Sequence, residues 1–145
     1  MTTMNCATRE WAWLIKEAHE ALKMAYAPYS RYRVGAAVLT EKGNVFKGCN
    51  VENASYGLTV CAERAAVFAA VAQEGGETMR IRALAVVNEA DTPCAPCGAC
   101  RQVLLEFGPE AVVIYRGPEG LTTATVAELL PQGFELERNM TYRHD

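Results

Sequence analysis

The segment Cys94-Ala-Pro-Cys97-Gly-Ala-Cys100 constrains this chain more than any other stretch. It places three of the six cysteines in two overlapping C-x-x-C steps; the others are Cys6, Cys49 and Cys61. In an exported chain an even cysteine count reads as a disulfide framework. Here residues 1–5 carry no basic start and no apolar stretch follows them, so no export signal is expected. A chain of 145 residues, half of them hydrophobic, also builds a core without covalent staples. The cysteines therefore point to a reducing cytoplasm and to metal binding or reactivity.

Composition removes several other classes. At 21% charged residues the chain is globular rather than disordered. A net charge of −3 argues against a surface that neutralises many phosphates, so no nucleic-acid partner is expected. No apolar run approaches the roughly 18 residues that cross a bilayer. There is no linker, repeat or low-complexity stretch. The expectation is one domain over residues 1–145, with its core at about 8–134 and a C-terminal extension at 135–145.

The hydrophobic periods define the elements. Trp11, Leu14, Ile15, Ala18, Leu22 and Ala25 recur at helical spacing, which predicts a helix over 8–25 capped by Thr8. Strands are expected at 34–40 and 45–51, joined by a hairpin turn in which Gly43 or Asn44 takes a positive φ. A helix at 61–73, a strand at 81–87, a helix at 97–107, strands at 111–115 and 121–124, and a short helix at 126–130 follow. The layer rules then give an α/β fold, three layers deep, with one mixed five-stranded sheet between helices. Two successive strand–helix–strand units predict right-handed crossovers and a mostly parallel stretch.

In this reading Cys61 and Cys97 each open a helix, where the dipole and free N–H groups favour a thiolate. Cys97 and Cys100 share the first turn. Two neighbouring helix starts would thus bring three thiolates to one ion, and three protein ligands on zinc leave the open position of a catalytic site. Three thiolates leave the site negative, and Arg64, just after Cys61, is placed to compensate them; Arg101 is a second candidate. Glu63, in the first turn after Cys61, is placed to move protons beside the metal. Taken alone, each residue has a plainer reading. Cys61 is equally a buried core cysteine, and Glu63 a partner of the helix dipole. A closed four-cysteine structural zinc with Cys94 remains open, while an iron–sulfur cluster lacks a fourth cysteine at the usual interval. His19 reads as a surface residue and His144 as a chain end.

Cys61-Ala-Glu63-Arg64, followed by Pro96-Cys97-Gly-Ala-Cys100-Arg101-Gln102, resembles the zinc-dependent cytidine deaminases, whose signature has a three-cysteine variant. The match extends to Tyr26-Ala-Pro28-Tyr29-Ser30, Val34-Gly35-Ala36-Ala37, Gly48-Cys49-Asn50-Val51-Glu52-Asn53-Ala54-Ser55-Tyr56, and Glu128-Leu129-Leu130-Pro131 with Phe134. It is similar in particular to the small homotetrameric nucleoside enzymes. The resemblance implies one Zn²⁺ per chain on Cys61, Cys97 and Cys100, with Glu63 as proton shuttle. It implies that Asn50 and Glu52 hold the ribose, that the Ala62 backbone contacts the base, and that Phe134 stacks on the base from a neighbouring subunit. The implied reaction is hydrolytic deamination of cytidine and deoxycytidine at C4 by a zinc-bound hydroxide, a step of pyrimidine salvage.

Two departures matter. The family's usual Phe-Pro is here Tyr32-Arg33, and that segment walls the nucleoside pocket, so Tyr32 joins the expected substrate contacts. Residues 136–145 match no family motif. A blasticidin S deaminase, or a deaminase of modified cytosine nucleosides, is the alternative; the segment from Asn50 to Tyr56 fits the nucleoside enzymes better. A non-catalytic zinc protein would not need Glu63. A nucleic-acid editor would need more than the single basic cluster Arg31-Tyr32-Arg33.

Overall fold

A computed structural model describes residues 6–138; His144 and residues 139–145 of the expected extension lie outside them. Two strands are buried along almost their whole length. β1 (Val34–Thr40) is buried along its whole length, and β3 (Ile81–Asn88) at all but one position. Such runs need cover on both faces. One face is covered by α2 (Ala12–Leu22), whose Leu14, Ile15, Ala18 and Leu22 pack on Ala37, Leu39, Ala83, Ala85 and Ile114. The other face meets α3 (Ala62–Glu74), α4 (Gly98–Phe107) and α5 (Val126–Leu129) through Ala66, Val67, Leu104 and Val126. The three-layer α/β/α expectation holds.

The sheet has five strands in the order β2-β1-β3-β4-β5, where β2 is Val45–Cys49, β4 Val112–Gly117 and β5 Gly120–Thr125. Only β3 and β4 pair in parallel; β1 is antiparallel to both β2 and β3, and β5 is antiparallel to β4. The expected mostly parallel stretch is therefore corrected. The crossover through α3 does connect two strands of the same direction, but β1 lies between them and turns both of its ladders antiparallel.

The N-terminal helix differs from expectation. It is two pieces, α1 (Cys6–Arg9) and α2, and it ends at Leu22 rather than at residue 25. Thr8 is no cap: it is buried inside α1, and Trp11 occupies the N-cap of α2. The β1–β2 turn is carried by Gly43, at φ +88°. Gly35 and Gly48 serve a different need. A Cβ at Gly35 would lie 2.1 Å from the Ala18 carbonyl oxygen, and one at Gly48 2.4 Å from the Ala66 nitrogen. Both helices sit directly on sheet backbone, α2 at Gly35 and α3 at Gly48.

Candidate active site

The starts of α3 and α4 meet at one end of the sheet. Cys61 is the N-cap residue of α3 and Cys97 that of α4, both in extended conformation. The Cys61 and Cys97 sulfurs are 4.0 Å apart, those of Cys97 and Cys100 3.6 Å, and all three lie within 4.8 Å of one another. Zinc–sulfur bonds of about 2.3 Å in a tetrahedron place sulfurs about 3.8 Å apart, so the three thiols fit a zinc ion. Among the described residues this is the one such group. Cys94 is outside this group and lines the adjoining pocket.

The electrostatics favour thiolate. The Cys61 thiol is drawn down to about 5, chiefly by the hydrogen bond from Cys100 and then by Arg64, against the effect of burial. Cys100 is pushed up because it donates that bond and is itself buried. A metal replaces the shared proton. Arg64 Nη2 donates to Cys61 Sγ at 3.3 Å, the compensation anticipated from its position. Arg101 does not share that role. Its Nε donates to the Pro96 carbonyl at 2.7 Å and its Nη1 to the Leu129 carbonyl at 2.8 Å, so it ties the start of α4 to the end of α5.

Glu63 is 5% exposed in the first turn of α3. Burial raises its carboxyl above the usual carboxylate range, and the neighbouring Cys61 adds to the rise. It borders a pocket of about 290 Å³ with Cys61, Ala62, Cys97, Tyr32 and Asn50. That volume is at the small end of cavities that enclose a drug-sized ligand.

Asn50 and Glu52, expected to face one ligand, divide between two adjoining cavities, both bordered by Thr59. Asn50 is buried in the pocket. Its Oδ1 accepts from the Val34 amide at 2.9 Å and its Nδ2 donates to the Tyr32 carbonyl at 2.7 Å. Glu52 borders the second cavity, and its carboxylate accepts from the Tyr29 and Ser30 amides at 3.0 and 3.1 Å and from Ser30 Oγ at 2.5 Å. These bonds hold it below the usual carboxylate range. Phe134 is 67% exposed and stands outside its own chain's pocket. Gln102 of α4 grips its backbone, donating to the Phe134 carbonyl at 2.7 Å and accepting from its amide at 3.2 Å. Sequence reasoning missed Pro93, Cys94 and Ala95 as pocket wall, and Asn88 behind them. A buried Asn at a strand end leaves no motif in a sequence.

A three-thiol metal site beside a buried carboxyl, open to a pocket, defines a zinc hydrolase. The description "Cytidine and deoxycytidylate deaminase zinc-binding region" matches residues 9–116, and the chain belongs to that family of zinc-dependent deaminases. A cytidine deaminase of Halalkalibacterium halodurans is 48% identical over 126 residues, 86% of this chain and 93% of that one. One from Mycobacterium tuberculosis is 45% identical over 128 residues, 88% and 92% of the two chains. The crystal structure of the Mycobacterium tuberculosis cytidine deaminase superposes with a TM-score of 0.77 at 45% identity, over 88% of this chain and 98% of that one. That from Burkholderia pseudomallei gives 0.75 at 46%, over 90% and 100%. These relatives favour the nucleoside enzyme over the blasticidin-type alternative.

Proposed function

We propose that this chain hydrolyses cytidine, and deoxycytidine with it, to the uridine counterpart and ammonia. The observation that carries the reading is the convergence of three cysteine sulfurs within 4.8 Å on the pocket that holds buried Glu63. Cys61, Cys97 and Cys100 would hold zinc, which when bound supplies a Lewis acid that acidifies water at neutral pH. The chain's own residues do the rest. Glu63, whose carboxylate burial makes more basic, accepts a proton from the attacking water in its ionised form and delivers it to N3 of the pyrimidine. Once the water oxygen has bonded to C4, Glu63 takes its second proton and passes it to the exocyclic amine. The C4–N bond breaks, ammonia leaves, and the C4 carbonyl forms. Arg64 offsets thiolate charge that would otherwise weaken the metal's pull on water.

Asn50 and Glu52 bind the ribose hydroxyls in this reading. Asn50 keeps one amide hydrogen and one carbonyl lone pair free of the bonds described, and Glu52 lies in the adjoining cavity. The Ala62 backbone and Tyr32 contact the base. Phe134, exposed on its own chain, stacks on the base in a neighbouring subunit of a homotetramer. A cytoplasmic role in pyrimidine salvage fits six free cysteines and the absence, among the described residues, of any helix long and apolar enough to cross a membrane.

The test is the fall in ultraviolet absorbance when cytidine, deoxycytidine, deoxycytidylate or a single-stranded oligonucleotide is added to the zinc-loaded protein. Turnover of the two nucleosides, with the nucleotide and the oligonucleotide left intact, is the expected result. Deamination of the oligonucleotide, or a purified protein with iron and sulfide in place of zinc, would reject the reading.

A further inference from the structure

Asn88 ends β3 and is 4% exposed. Its side chain engages both backbone groups of Thr92: Oδ1 accepts from the Thr92 amide at 3.1 Å, and Nδ2 donates to the Thr92 carbonyl at 2.8 Å. The same Nδ2 donates to Tyr32 Oη at 2.8 Å. Two residues beyond Thr92, the Cys94 amide donates to the Arg116 carbonyl of β4 at 2.8 Å, a second anchor for the same loop. Pro93 and Cys94, between and at these anchors, form part of the pocket wall, and Tyr32 forms another part. Tyr32 is itself held at three places, by Ser30 Oγ at its amide, by Asn50 at its carbonyl and by Asn88 at its hydroxyl. Burial also holds the phenol above its ordinary range, so it stays protonated.

We propose that Asn88 is a positioning residue for the nucleoside: by joining the Tyr32 hydroxyl to the Thr92 backbone it sets two parts of the pocket wall before substrate arrives. The inference rests on the reading of this pocket as the nucleoside site. A loop ordered in advance is not ordered at the expense of binding, so the effect belongs in affinity and not in the chemical step. Neither Asn88 nor the Tyr32 hydroxyl is needed for proton transfer.

Steady-state kinetics with cytidine on zinc-loaded Tyr32→Phe and Asn88→Ala test it. Tyr32→Phe removes one oxygen and should raise KM about three- to tenfold, the effect of one hydrogen bond. Asn88→Ala should raise KM further, with kcat within about twofold of the parent in both variants. The double variant should be worse than Asn88→Ala by less than Tyr32→Phe alone costs, because the hydroxyl has already lost its Asn88 donor and keeps only its contacts with Thr92 and Cys94. The dissociation constant of the product uridine should rise in step with KM. Unchanged KM in both variants, a loss confined to kcat, or effects that simply add in the double variant would each overturn the inference. If Asn88→Ala does not fold, the KM and kcat of Tyr32→Phe decide. Failure of the underlying reading looks different, since the unmodified protein would then not deaminate cytidine at all.

Discussion

Glu63 and Cys94 both line the pocket and differ in what their removal should do. Glu63→Gln is nearly isosteric and keeps an acceptor in place but cannot carry a proton. A general acid–base group contributes about 10²–10⁴-fold, and one that shuttles more than one proton belongs at or above the top of that range. The variant should therefore keep about one zinc per chain and its melting temperature while losing almost all turnover; more than a tenth of the parent kcat would exclude the role. Cys94 has the C-x-x-C spacing of a ligand, yet its sulfur is outside the group formed by Cys61, Cys97 and Cys100. Cys97 is the N-cap of α4, so Cys94 lies in the loop preceding the helix, where Pro96 favours an extended backbone at Ala95. Cys94→Ser should retain full zinc content by metal analysis, together with near-parental kcat. Loss of metal from that variant would mean a closed four-cysteine site.

At the scale of elements, the site depends on how closely α3 sits on β2. A Cβ at Gly48 would lie 2.5 Å from the Ala62 carbonyl oxygen and 2.4 Å from the Ala66 nitrogen, both helix backbone that cannot turn aside. Gly48→Ala must push the first turns of α3 outward, and that turn carries Glu63 with Cys61 at its cap. The expected cost is about 1–3 kcal/mol of stability, as for overpacking elsewhere, with a kcat loss larger than the stability loss alone explains. Gly57→Ala, where a Cβ meets nothing within 4 Å, is the control and should leave both unchanged. The same closeness explains what was legible in advance. The continuous apolar runs of β1 and β3 announce strands covered on both faces, and the C-x-x-C segment places Cys97 and Cys100 on one turn. The split between α1 and α2 was hidden because Trp11 fits the helical period while serving as a cap. Strand direction was hidden because pairing order is set by the sheet as a whole, and no local pattern shows β1 slipping between β2 and β3. Asn88 was invisible for a related reason: its partners are Thr92, nearby, and Tyr32, far off in sequence.

For the whole molecule the open question is where a site ends. The pocket of one chain is small and open to solvent, Phe134 stands exposed outside it, and Gln102 nonetheless holds the Phe134 backbone from both sides. A backbone held in place with its ring exposed and absent from its own chain's pocket is what a residue donated to a neighbouring copy requires. Phe134→Ala should then raise KM for cytidine by the loss of one stacking contact, about 1–3 kcal/mol, with kcat little changed. The decisive arrangement combines two defective chains. Glu63→Gln supplies an intact Phe134 and no proton shuttle; Phe134→Ala supplies an intact Glu63 and no stacking ring. In mixed assemblies formed by co-expression at equal levels, about a quarter of the sites would pair an intact Glu63 with an intact Phe134 from the adjacent chain. Those sites should turn over cytidine at the parental KM, which neither variant does by itself. If each chain uses its own Phe134, the mixture can only sum its parents, and no low-KM component will emerge in the kinetics of the mixed assemblies.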